Sequence, residues 1–207
     1  MKLFFHYCSY GFSNCYILGM DKAGTESQNV AILVDPGSME RVTLETLEKN
    51  DLELKAVLIT HDHQNHVQGL RTLRKIYNTD VIAVNPKIMD IKTTMVKDGD
   101  RLIIGGFTIE VISIPGHSSD SVVYKIDNLL FTGDVLTAGL VGSTASAYGA
   151  ATQMNKLRSR VLSLPGDYIV LPGHGPPTTM EAERRFNADI IIFDQNRSRK
   201  PALKIDL

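Results

Sequence analysis

Apolar runs of strand length recur from the start of the chain, at Leu3 to Tyr7, Cys15 to Leu18 and Val30 to Val34, the last stopping at the turn Asp35-Pro36-Gly37. They predict a β meander. The period then changes: between Ser38 and Asn50, Met39, Val42, Leu44 and Leu47 recur at roughly helical spacing among charged residues, and Asn50 and Asp51 close the segment. That is the pattern of an amphipathic helix. Ala56 to Ile59 reads as a buried strand and Leu70 to Ile76 as a helix, so Thr60 to His66 falls on a strand-to-helix loop. The second half repeats the alternation, with strands predicted at Val81 to Val84, Arg101 to Ile104, Thr108 to Ile112, Val122 to Ile126, Leu129 to Phe131 and Tyr168 to Leu171. Helices are predicted at about Ala150 to Leu164 and, as the last element, at Thr179 to Ala188.

With 207 residues and 43% hydrophobic content the chain can bury a real core, and residues 1–207 are expected to form a single α/β domain. Lys plus Arg number 22 against 23 Asp plus Glu, so no overall field draws a nucleic acid or an anionic membrane. The expected partner is a small-molecule substrate; the oligomeric state is left open. Cys8 and Cys15 are too few for a disulfide framework and are expected to be reduced structural thiols, although they flank a turn across which a hairpin could bring them face to face. No segment approaches the roughly 20 apolar residues of a membrane span, and the start lacks a signal-peptide core, which makes a cytoplasmic protein the default expectation.

Five of the six histidines fall in three short stretches: Thr60-His61-Asp62-His63-Gln64-Asn65-His66, Pro115-Gly116-His117-Ser118 and Leu171-Pro172-Gly173-His174-Gly175. With Asp134 in Phe131-Thr132-Gly133-Asp134, they offer donors for one or two transition-metal ions. Each stretch follows a predicted strand, so a rigid scaffold can gather distant loops on one rim. His61 and His63 are two apart and can point to one side of an extended loop, while His66 reaches past the next turn. Asp62, between two donors, should point away. A catalytic ion usually takes about three protein ligands and lowers the pKa of its water to about 7. His6, inside the first strand, reads as structural.

These stretches, with Asn14-Cys15-Tyr16, Val34-Asp35-Pro36-Gly37 and Pro176, resemble in order the metallo-β-lactamase superfamily, and within it the glyoxalase II (hydroxyacylglutathione hydrolase) branch. The resemblance runs from about Tyr7 to Asn187 and implies a four-layered αββα sandwich with metals on one edge. It further implies that His61, His63 and His117 hold a first ion, that His66 and His174 contribute to a second, and that Asp134 bridges the two. The ion would be zinc, iron or manganese.

The chain departs from the family at Asn65, where the pattern has a metal-binding Asp that also orients the nucleophile. An amide oxygen is neutral and cannot act as a base, so one firmly bound ion is expected and the second site should be weaker or empty. Asn65 and Asp134 are therefore the positions on which catalysis turns. The resemblance implies a hydrolase of a small ester or thioester, with an acylated glutathione the best-motivated example. Two alternatives stand beside it: a mononuclear iron oxygenase like the persulfide dioxygenases, using His61, His117 and Asp134, and a metal-binding protein with little turnover because of Asn65. The stretch Gly142-Ser143-Thr144-Ala145 stands where short relatives often carry Gly-Arg-Thr-Asp. The basic tail Arg197-Ser198-Arg199-Lys200 with Lys204 reads as a solvated charge run rather than a grip on an acidic thioester.

Overall fold

Strands that are apolar on both faces must be covered on both sides, and this chain covers them with each other and with helices. The computed structural model describes residues 1–21 and 29–198. Strands β1 (Lys2–Tyr7), β2 (Asn14–Met20) and β3 (Asn29–Val34) form the expected antiparallel meander. Helix α1 (Arg41–Lys49) crosses to β4 (Leu52–Leu58), which pairs parallel with β3. Helices α2 (Gln64–Val67) and α3 (Leu70–Ile76) lead to β5 (Asp80–Ala83), followed by a small hairpin of β6 (Lys87–Ile88) and β7 (Ile91–Lys92), and then by β8 (Thr94–Met95). The first sheet is ordered β1-β2-β3-β4-β5-β8.

The second half supplies β9 (Arg101–Ile104), β10 (Phe107–Ser113), β11 (Val122–Ile126) and β12 (Leu129–Gly133), then a hairpin of β13 (Leu136–Thr137) and β14 (Leu140–Val141). Helix α4 (Ala147–Leu157) runs on through one π turn, 158–162, to β15 (Ile169–Pro172) and β16 (Thr178–Thr179). Helices α5 (Met180–Phe186) and α6 (Ala188–Ser198) end the described chain. The second sheet is ordered β16-β15-β12-β11-β10-β9.

Alternation along single strands sorts side chains into three cores. In β2, Tyr16 and Leu18 face the space between the sheets, where they meet Phe107, Tyr124 and Phe131, while Cys15 and Ile17 face the layer with Leu47, Leu70 and Leu73 of α1 and α3. On the far side, Val123, Leu130 and Val170 pack on Met154, Leu157, Met180 and Ile190. The result is the expected four-layered αββα sandwich, each fully buried Leu or Phe contributing about 1.5–3 kcal/mol of burial. Cys8 and Cys15 are both free and buried, in agreement with the structural-thiol reading.

Three of the differences from the sequence reading have a visible local cause. Strand β4 starts at Leu52, four residues earlier, because Leu52-Glu53-Leu54-Lys55 alternates buried and exposed instead of forming an apolar run. Helix α4 starts at Ala147, where the Ser146 side chain accepts the Gly149 N–H at 3.0 Å. The segment expected to close the chain with one helix holds two. Asn187 leaves the helical conformation, donates to Glu183 Oε2 at 2.6 Å, and accepts the Ile190 N–H at 3.2 Å as the cap of α6. The basic tail falls at the end of α6 and beyond it, where Arg199, Lys200 and Lys204 lie outside the described residues. Among the described residues, no helix is long and apolar enough to cross a membrane.

Candidate metal centre

Strands β3, β4, β10, β12 and β15 all end on one rim of the sandwich, and each delivers a polar residue there: Asp35, His61, His117, Asp134 and His174. Backbone hydrogen bonds tie the two sheets together at this rim. Val122 N donates to Thr60 O at 2.9 Å, and Asn14 N donates to Gly173 O at 2.7 Å. The Asn14 side chain donates to Pro172 O and Gly175 O at 2.9 and 2.7 Å, and Tyr16 Oη donates to Pro172 O at 2.7 Å. The loop bearing His174 is thereby held by β2. Close approach explains two glycines: a Cβ on Gly133 would run into Thr60 Oγ1, and one on Gly173 into Asp134 Oδ1 and His66.

Two donor groups share Asp134. His61, His63, His117 and Asp134 form one, and His66, Asp134 and His174 the other, with the ligand atoms of each lying within 4.8 Å of one another. In the first, His63 Nδ1 lies 3.0 Å from both His61 Nε2 and His117 Nε2, and Asp134 Oδ2 lies 3.8 and 3.6 Å from those two nitrogens. In the second, His66 Nε2 lies 3.4 Å from Asp134 Oδ1 and His174 Nε2 lies 3.5 Å from Asp134 Oδ2. Asp62 stands outside both groups; its backbone N–H donates to Asp120 Oδ2 at 2.9 Å, and its exposed side chain faces Asn85. The expectation that it points away from the donors holds.

Which ring nitrogen offers its lone pair follows from what the other one touches. His117 Nδ1 lies 2.8 Å from Ser143 O and His174 Nδ1 3.0 Å from Phe12 O; a carbonyl only accepts, so both rings carry hydrogen on Nδ1. Thr60 Oγ1 donates to Asp35 Oδ2 at 2.6 Å and so accepts from His61 Nδ1 at 3.1 Å. The same carboxylate oxygen accepts from His66 Nδ1 at 3.0 Å. In all four rings Nε2 is left facing the centre. Asp35, 2% exposed and also holding Thr60 N at 2.8 Å, is the organising residue, and the sequence reading gives it no role beyond a turn and a family-like stretch. The signal is present there all the same: an acid directly behind a wholly apolar strand.

Burial holds the pKa of His61 down to about 3, aided by neighbouring His66. Burial also opposes charge on His66, but Asp134 and Asp35 on its two nitrogens outweigh it and lift that pKa to about 10. Asp134 is lowered to about 2: burial works against it, and the imidazoles around it prevail, His66 foremost. These are groups that want a cation between them. His66 Nε2 and Asp134 Oδ1 are both buried without a hydrogen-bond partner, a combination a native interior rarely keeps unless something else satisfies it. With an ion in place of the His66 Nε2 proton, imidazole nitrogens and a carboxylate oxygen at these separations fit a divalent transition metal.

Asn65, on α2, faces His174. Its Nδ2 lies 2.7 Å from His174 Nε2.

The chain has known relatives in sequence and in fold. Residues 9–174 match the sequence profile of the metallo-beta-lactamase superfamily. The chain is 31% identical to an uncharacterized protein of Mycobacterium tuberculosis, over 84% of this chain and 91% of that one. It is 28% identical to the hydroxyacylglutathione hydrolase GloC of Haemophilus influenzae, with the same two coverages. Among solved structures it is similar to ETHE1 from Myxococcus xanthus, with a TM-score of 0.79 at 25% identity over 98% of this chain and 93% of that one. It is also similar to a protein solved in a di-iron-bound form, with a TM-score of 0.71 at 25% identity over 90% and 99%. A profile match across most of the chain, joined to whole-fold likeness at these scores, establishes that the chain belongs to the metallo-β-lactamase superfamily.

Proposed function

We propose that the chain is a metal-dependent hydrolase of a small ester or thioester. The observation that carries this reading is the convergence of three imidazole nitrogens and Asp134, each outward ring nitrogen of His61 and His117 anchored, beside an open groove. His61, His63, His117 and Asp134 would hold the ion. When bound there, a zinc, iron or manganese ion supplies a Lewis acid and lowers the pKa of a coordinated water to about 7. The chain's own residues do the rest: Thr60 and Asp35 fix the His61 ring, Ser143 O fixes the His117 ring, and the paired sheets keep the donors apart at set distances.

The groove, of about 320 Å³, runs from His117, Asp134 and His174 along the β13–β14 hairpin, past Thr137, Leu140, Val141 and Ser143. No Lys or Arg lines it among the described residues, which favours a small uncharged acyl group next to the donors. Likeness to hydroxyacylglutathione hydrolases supports a thioester, an acylated glutathione among the candidates. The test is steady-state kinetics on a thioester panel, S-lactoylglutathione included, with protein loaded by Zn(II), Fe(II) or Mn(II) and with chelated protein. Hydrolysis that disappears on chelation is the expected result; no hydrolysis of any member under any metal would overturn the reading.

One observation favours a second reading, a mononuclear iron oxygenase acting on a persulfide: His61, His117 and Asp134 alone make a two-nitrogen, one-oxygen set, and the fold is similar to ETHE1. His63, 3.0 Å from both imidazoles, supplies a fourth donor that such a triad does not need, which favours hydrolysis. Oxygen uptake with glutathione persulfide under iron loading would reverse the order. A metal-binding protein with little turnover is the outcome if neither assay responds while the ion is retained.

A further inference from the structure

We propose that Asn65 caps His174, taking the lone pair that a second ion would use and leaving this chain one metal pocket, that of His61, His63, His117 and Asp134. The proposal rests on the metal-binding part of the reading above and is independent of the substrate.

Hydrogen positions decide the matter. His174 Nδ1 faces Phe12 O at 3.0 Å and must carry the hydrogen there, so its Nε2 is an acceptor. Asn65 Nδ2 lies 2.7 Å from that Nε2, and an amide nitrogen has only N–H to offer. The N–H therefore points into the lone pair aimed at the second donor group. Among the described residues no amide stands in the corresponding place on His61, His63 or His117, whose Nε2 and Nδ1 atoms face each other and Asp134.

The cap is held from behind. Ser13 Oγ donates to Asn65 O at 2.5 Å, and Gly11 and Gly37 press so closely that a Cβ on Gly11 would overlap the Asn65 Cβ and one on Gly37 its backbone oxygen. Asn65 can answer an incoming ion only by turning its amide, which gives up the bond to His174 and offers a neutral oxygen in exchange. A carboxylate at the same place has no N–H to donate and would itself be a charged ligand.

The cap separates two explanations of a weak second site that are otherwise hard to distinguish. If Asn65 is a poor ligand, removing its side chain weakens second-ion binding further. If it is a cap, removing it frees His174 and strengthens that binding. Zn(II) titration of metal-stripped protein by calorimetry, with elemental analysis after desalting, reads the difference without any assay of turnover; circular dichroism checks that each variant is folded. The wild type should retain one ion, Asn65→Ala should bind a second at least tenfold more tightly than the wild type does, and Asn65→Asp should retain two. His174→Ala should leave the first ion within threefold of its wild-type affinity. Two ions retained by the wild type, or second-ion binding weakened in Asn65→Ala, would overturn the proposal. No ion retained by the wild type would overturn it together with the metal-binding reading, whereas one ion and no hydrolysis would sink only the hydrolase reading.

Discussion

The two halves of the centre use the same kinds of donors and share Asp134, yet differ in what stands against their lone pairs. In the half built from His61, His63 and His117, ring faces ring and carboxylate across 3.0 to 3.8 Å, and nothing else among the described residues competes. In the half built from His66 and His174, one ring is held from behind by Asp35 with its Nε2 unpartnered, and the other already accepts from Asn65. Judged only by the kinds of ligand within reach, the halves look similar, four donors against three. Hydrogen positions make them unequal: metal affinity depends on which lone pairs are free as well as on which residues are near.

The inequality predicts opposite costs for matched truncations. His63→Ala, at an exposed position where folding is little affected, should weaken retention of the ion by more than ~100-fold, since a lost ligand exceeds the 10–100-fold typical of outer partners. His174→Ala should cost less than ~3-fold, because its lone pair is already spent on an amide. Equal losses in a competition assay with a colorimetric chelator would show that both halves contribute to one ion, and the distinction between them would have to be dropped.

Much of this arrangement is legible in the sequence, for identifiable reasons. Strands such as Val30 to Val34 and Val122 to Ile126 are unbroken apolar runs bounded by turn residues, so local pattern and final burial coincide. All six expected donors, His61, His63, His66, His117, Asp134 and His174, lie in the two groups, because histidines placed directly behind strand ends have little choice of location. What stays hidden depends on tertiary partners. The break at Asn187 needs Glu183 and the following turn to explain it. The cap on His174 joins residues 109 apart in sequence, and its direction depends on a hydrogen set by Phe12 O. Asp35 looks like an ordinary turn acid because its three partners, Thr60 N, Thr60 Oγ1 and His66 Nδ1, lie 25 and 31 residues away.

Asp35 bears on both halves at once, which makes it a control for the comparison. Asp35→Asn keeps the shape but replaces a carboxylate oxygen that accepts from both Thr60 and His66. Metal retention should fall by ~10–100-fold, the usual cost of disturbing a ligand's outer partner. Urea melts should show a loss of roughly 1–3 kcal/mol from a buried group left without its match. Thr60→Val narrows the effect to the first half: it removes the acceptor of His61 Nδ1 and leaves the bond from Asp35 to His66 in place. Retention should fall toward the lower end of that range, about 10-fold. If Thr60→Val cost as much as Asp35→Asn, the link between Asp35 and His66 would carry no weight for the bound ion.

The smallest effect belongs to neither half. Leu140 stands on the β13–β14 hairpin at the open side of the groove, 54% exposed and beyond reach of the donors' hydrogen bonds. Truncating it to Ala removes apolar surface from the wall that would receive an acyl group, at about 25 cal/mol for each Å² of apolar area no longer shielded from water. The Michaelis constant for an apolar thioester should rise roughly 2- to 5-fold with kcat unchanged, the mark of binding lost equally from ground and transition states. Metal retention should not move at all. A fall in kcat instead would mean that the hairpin helps to place the reacting carbonyl against the first half, and the groove and the donors would then have to be treated as one device.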